Sequence, residues 1–185
     1  LNIYSFEGTF EEVKKNFLPS DVKVYDRDGR ELETIRVNDK VRSLEWTSLN
    51  KTSFAFKNFL ISSEDQSFYD HSGVDLKALF KAFVDRIKDK NSKRGASTIT
   101  MQLINLLHPE MKGIKKDVWD KIEQIKLSID LEKRWTKDQI LEAYINLTPF
   151  KGELLGIAAT SYGLFQKAPA ALNNDESALL VAMIR

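Results

Sequence analysis

Two patterns of apolar positions divide the chain. Residues 22–37 read Val-Lys-Val-Tyr-Asp-Arg-Asp-Gly-Arg-Glu-Leu-Glu-Thr-Ile-Arg-Val, two runs with β-branched or aromatic residues on either side of Asp28-Gly29. That arrangement predicts a hairpin. From about residue 47 onward, apolar spacing near 3.6 replaces alternation and predicts helices. Leu76, Leu79, Phe80, Phe83 and Ile87 form one stripe, Val118, Ile122, Ile125 and Ile129 a second, and Ile140, Leu141, Tyr144 and Ile145 a third. They are assigned mostly to the core. Thr136 with Gln139, and Asn173 with Glu176, have capping-box spacing, and Ser97 stands as the cap of a helix containing Met101 to Leu107. The expected fold class is mainly α, a helical globule with a small N-terminal β-hairpin.

Composition narrows the picture. With 185 residues, 42% of them hydrophobic, the chain is long enough for one well-buried core, and a single domain is expected. Lys and Arg number 28 against 27 Asp and Glu, so no global field points to nucleic acid, and recognition must come from local clusters. There is no cysteine and only two histidines, His71 and His108, which excludes disulfides and thiolate metal sites and argues against zinc. No apolar run is long enough to cross a bilayer. The chain starts at Leu1 without a visible signal peptide, and its last helical pattern runs to Arg185 without a stop, so a domain truncated at both ends is expected.

Three clusters have the residue types for chemistry. Glu64-Asp-Gln-Ser-Phe68-Tyr-Asp-His71-Ser-Gly73 lies between two helical stretches, and a carboxylate among Phe59, Leu60, Ile61 and Phe68 is set for partial desolvation, which suits general acid or base work. Lys93-Arg-Gly95-Ala-Ser97-Thr98-Ile-Thr100-Met-Gln102 brings a basic pair and hydroxyls to a helix start, a ready place for phosphate. Thr136-Lys137-Asp-Gln-Ile140-Leu141-Glu142-Ala-Tyr144-Ile145-Asn146 is an amphipathic helix with Glu142 and Asn146 one turn apart. Taken singly, each has an ordinary structural reading as a solvated helix end, a cap or a surface helix.

Read in order, the clusters resemble the motifs of glycosyltransferase family 51, the peptidoglycan glycosyltransferases of class A penicillin-binding proteins. Those motifs run Glu-Asp-x-x-Phe-x-x-His-x-Gly, then Gly-x-Ser-Thr-Ile/Leu-Thr-x-Gln, then Lys-x-x-Ile-Leu-Glu-x-Tyr-Leu-Asn, and only Ile145 departs from them. The resemblance covers about residues 22 to 185. The stretch from Asn146 through Gly156 to Lys167-Ala-Pro169 is similar to the penicillin-binding protein 1C branch. The resemblance implies a lysozyme-like helical fold and a peptidoglycan glycosyltransferase domain spanning residues 1–185. It implies lipid II and the nascent glycan strand as partners, and a place at the outer face of the bacterial cytoplasmic membrane. It also implies either basic side chains or a divalent cation, Mg or Mn, at the diphosphate, and is compatible with a transpeptidase domain in the full protein. Glu64 takes the role of catalytic base. Asp65, Phe68, His71, Lys81, Gly95, Ser97, Thr98, Thr100, Gln102, Lys121, Gln124, Glu142, Tyr144 and Asn146 take substrate-binding roles. Leu103 to Lys116, apolar residues followed by lysines, is expected at the membrane surface.

The chain also departs from the family pattern. Asp120-Lys121-Ile-Glu-Gln124 stands where the family has Arg-Lys-x-x-Glu, and Asn105 replaces a basic residue three positions beyond Gln102. These changes leave two further readings open, a non-catalytic envelope scaffold and a lysozyme-like glycan-cleaving enzyme.

Overall fold

The computed structural model describes residues 8–88, 97–109 and 118–184. The fold is mainly α with a small N-terminal hairpin, the class expected from the periodicity. Along the chain run α1 (Phe10–Asn16), β1 (Asp21–Tyr25), β2 (Glu31–Arg36), β3 (Arg42–Ser43), α2 (Phe54–Glu64), α3 (Leu76–Lys88) and α4 (Ile99–Leu107). There follow α5 (Val118–Glu132), α6 (Lys137–Leu147), β4 (Leu154–Leu155), α7 (Gly156–Phe165) and α8 (Asn174–Ala182). Two compact units share these elements: Leu1–Thr9 with Leu60–Tyr144, and Phe10–Phe59 with Ile145–Arg185.

The first unit holds the end of α2, all of α3, α4 and α5, and most of α6. Its core is Leu60, Phe68, Ile99, Met101, Leu103, Ile104, Leu127, Leu131, Ile140, Leu141 and Tyr144, all essentially solvent-free. The third predicted stripe is therefore core, and its helix opens with the expected box. Thr136 N–H donates to Gln139 Oε1 (2.9 Å) and Gln139 N–H to Thr136 Oγ1 (3.2 Å).

The other two stripes are corrected. On α3, Leu76 is 74% and Phe80 70% exposed, while the side chains of Phe83 and Ile87 lie outside the described residues. On α5 the buried face is Gln124, Leu127, Ser128 and Leu131, leaving Ile122 and Ile129 more than a third exposed. The reason is polar and steric. Gln124 Nε2 donates to the Met101 carbonyl (2.6 Å), Ser128 Oγ donates to the Gln124 carbonyl (2.7 Å), and Gly73 comes against the Ser128 backbone. Periodicity identifies an apolar face, but these contacts decide which face is turned inward.

In the second unit β1 and β2 pair antiparallel, Val22 opposite Ile35 and Val24 opposite Glu33, with a bulge before Tyr25. Asp26 Oδ1 closes the turn by accepting from the Asp28 and Arg30 N–H groups (both 2.8 Å), and Gly29 supplies the positive φ. Arg36 ties the hairpin to Glu153 through two bonds, at 3.2 and 2.7 Å. β3 and β4 add a parallel pair, Arg42 with Leu154 and Ser43 with Leu155. Ile157, Ala158, Ala159, Leu172, Leu180 and Val181 form the core with Phe56 and Phe150. The Asn173–Glu176 capping box that opens α8 is present. Among the described residues, no helix is long and apolar enough to cross a membrane.

Candidate active site

Glu64 is the last residue of α2, half-buried at the edge of a cleft of about 310 Å³. Asp65, Ser67, Asp75, Ser97 and Thr98 also line this cleft. Of the four apolar neighbours expected around Glu64, Leu60 and Phe68 are buried, whereas Phe59 is 38% exposed. Its immediate environment is polar. Gln102 Nε2 donates to Glu64 Oε2 (2.9 Å), and Tyr144 Oη donates to Gln102 Oε1 (2.8 Å).

Asp65 faces inward and is 7% exposed. Its Oδ2 accepts from the Ile99 N–H (3.0 Å), and both its oxygens lie within 3.0 Å of His71 Nε2. Lys137 Nζ lies 3.5 Å from the other ring nitrogen, Nδ1. A carboxylate can only accept, so Nε2 carries a proton directed at Asp65. Lys137 donates to Glu132 Oε1 (2.7 Å) and stands over the Phe68 ring at 4.6 Å, while Thr100 Oγ1 donates to the same Glu132 oxygen (2.5 Å). Buried charges persist only when paired and hydrogen-bonded, as each is here. Glu132 and Lys137 were absent from the expected site residues. Lys137 opens the third motif and was available to a sequence argument, but Glu132 is one charge at a helix end and carries no local signal.

The start of α4 is closed rather than open to an anion. Thr98, not Ser97, is its cap: Thr98 Oγ1 accepts from the Met101 N–H (3.1 Å) and donates to the Gly73 carbonyl (2.7 Å). Asp65 occupies the Ile99 N–H. Ser97 is instead the acceptor for Lys121 Nζ (2.9 Å), which also donates to Gln124 Oε1 (2.9 Å). Gln124 thus accepts from a lysine and donates to a backbone carbonyl at once. A carboxylate cannot do both.

The expected residues therefore divide by accessibility. Glu64, Gln102, Ser97 and Lys121 are half-buried, and Lys81 is exposed on α3. Phe68, Thr98, Thr100, Gln124 and Tyr144 have 6% exposure or less and act as framework. His71 joins them through Asp65. Glu142 is half-buried on α6. Asn146 belongs to the second unit, where its amide donates to the Thr47 carbonyl and accepts from the Thr47 N–H (both 2.8 Å). Gly95 lies outside the described residues. In the expected membrane segment Leu103 and Ile104 are fully buried, which removes them from any lipid contact, Leu106 and Leu107 are half-buried, and residues 110–117 lie outside the described residues.

One cleft thus holds a carboxylate backed by a hydrogen-bond chain and a serine already bonded to an ammonium. Residues 28–185 match the family described as Transglycosylase. The chain belongs to the transglycosylase family. Its relatives include Penicillin-binding protein 1A of Clostridium tetani, 38% identical over 93% of this chain and 22% of that protein. Penicillin-binding protein 4 of Bacillus subtilis is 32% identical over 93% of this chain and 27% of its own length. Penicillin-binding protein 1A of Rickettsia bellii is 32% identical over 94% and 22%. The chain spans about a quarter of the length of these relatives. In this transglycosylase the first two motifs supply Glu64, Asp65, Ser97 and Thr98 to one cleft, and Tyr144 of the third reaches Glu64 through Gln102.

Proposed function

We propose that the chain is a peptidoglycan glycosyltransferase domain that polymerises lipid II into glycan strands. The observation that carries this is the shared cleft, with Glu64 at one wall and Ser97, bonded to Lys121, at another. An α-linked donor and a β-1,4 product require one inversion at the donor carbon. Glu64 removes the proton from the acceptor's sugar hydroxyl, the oxygen attacks, and the polyprenyl diphosphate departs with the bonding pair. Lys121 and Ser97 supply the positive charge and the hydroxyl that the departing diphosphate needs. Among the described residues no three His, Asp or Glu side chains converge to hold a metal ion. Lys121 is the cation bonded to Ser97 at this cleft, and no step is routed through a metal.

A lipid-linked substrate places the domain at a membrane face, which the family resemblance sets outside the cytoplasmic membrane. In the described residues the surface suited to lipid is α3, with Leu76 and Phe80 exposed beside Lys77 and Lys81. The 1C likeness of residues 146–169 and a transpeptidase partner domain belong to the same reading.

Labelled lipid II, then preformed glycan strands, offered to the chain and to Glu64→Gln, test the reading. Polymer from the wild type, reduced roughly 10²–10⁴-fold in the variant, is expected. Strand cleavage would indicate the hydrolase, and lipid binding without turnover the scaffold.

A further inference from the structure

Resting on Glu64 as the base, we propose that Tyr144 and Gln102 are positioning residues that fix which oxygen of Glu64 receives the acceptor's proton. Ionised, the carboxylate can only accept, so the Gln102 side chain must turn its NH₂ toward Glu64 Oε2, as it does at 2.9 Å. The amide carbonyl then points the other way, toward Tyr144, and the tyrosine hydroxyl has to donate, as it does at 2.8 Å. Tyr144 is 1% exposed, so it touches no substrate and exchanges its hydrogen bond with little bulk water. A rotatable amide with one face toward a cleft is thereby locked by a donor in the core.

The lock has a chemical consequence. Were the proton delivered to Oε2, that oxygen would become a hydroxyl, a weaker acceptor for the Gln102 N–H than a carbonyl oxygen is. The bond from Gln102 therefore favours delivery to Oε1. In that step the acceptor's O–H bond breaks, its proton bonds to Oε1, its oxygen bonds to the donor sugar carbon, and the carbon–oxygen bond to the diphosphate breaks with its pair leaving on the diphosphate. Oε2 becomes the carbonyl oxygen of the neutral acid and still accepts from Gln102, so the relay serves both ends of the step. A second tie keeps Glu64 near α4: the adjacent Asp65 accepts from the Ile99 N–H (3.0 Å) three residues before Gln102.

Steady-state polymerisation of lipid II by the full chain tests this with Tyr144→Phe, Gln102→Met and the double variant, each checked for folding by circular dichroism at the assay temperature. Tyr144→Phe should lower kcat about tenfold or more with KM within about twofold, the size of one lost hydrogen bond in the chain that holds the base. Gln102→Met should lose at least as much. The double variant should lose no more than Gln102→Met alone, because the two act in one chain. Multiplicative losses, an effect on KM alone, or an unchanged kcat in either single variant would overturn the relay. If Tyr144→Phe does not fold, Gln102→Met decides by its kcat and KM. A wild type that polymerises, a Glu64→Gln that does not and a fully active Tyr144→Phe would remove the relay and leave the base in place. A wild type that forms no polymer would remove both.

Discussion

Gly73 has φ +90°, and a Cβ there would lie 2.6 Å from the Ser128 carbonyl oxygen. The last glycine of the first motif is thus required by backbone conformation and by a backbone neighbour that cannot yield. Gly73→Ala should lower stability by about 2–4 kcal/mol, measured by urea unfolding, and an unchanged midpoint would contradict this. Gln124 was legible only as a departure from the family, where a glutamate stands. The structure gives the amide its own work, donating to Met101 and accepting from Lys121. Gln124→Glu should therefore destabilise by about 1–3 kcal/mol despite offering Lys121 a counter-charge, because the Met101 carbonyl loses the amide donor and faces a carboxylate. A thermal scan that showed stabilisation would refute that. The residue types at Glu64, Gln102 and Tyr144 were readable in the motifs. Their mutual hydrogen bonds were not, since 38 and 42 residues separate the partners.

At the level of elements, capping chemistry was legible wherever it was local. The boxes at Thr136 and Asn173 formed as spaced, and the cap before α4 moved by one residue because Gly73 offers Thr98 a carbonyl. α1 was missed although Glu11 and Glu12 precede Lys14 and Lys15 in the order that favours a helix. β3 and β4 have two residues each and pair across more than a hundred positions, too short and too distant for any period to show. α3 is preceded by Asp75, whose Oδ1 accepts from the Ala78 N–H (2.8 Å) and whose Oδ2 accepts from Ser67 Oγ. The Ser67 hydroxyl first, and the Ala78 N–H after it, hold this carboxyl below its ordinary value. The stabilisation is therefore complete above the ordinary aspartate range and is lost as pH falls through the lowered value. An acid titration followed by far-ultraviolet circular dichroism should show this component in the wild type and not in Asp75→Asn. Superimposable curves would rule it out.

For the whole molecule, charge balance was informative through what it excluded: at a formal net charge of +1, association with a surface has to come from a local patch. α3 displays Leu76 and Phe80 in the described part of the chain. Replacing both with serine should reduce sedimentation with anionic lipid vesicles at least about tenfold, and equal partitioning would exclude this helix as the contact. The mainly helical class was legible because 3.6-residue spacing persists over most of the chain, whereas the inward face of α5 was set by polar contacts that no hydropathy pattern carries. The closed start of α4 bears on inhibitor design. A compound built to rest a phosphate on that helix would have to compete with the protein's own carboxylate at Ile99. Its negative charge is better aimed at Lys121, whose ammonium donates to the Ser97 hydroxyl and the Gln124 amide oxygen beside the cleft.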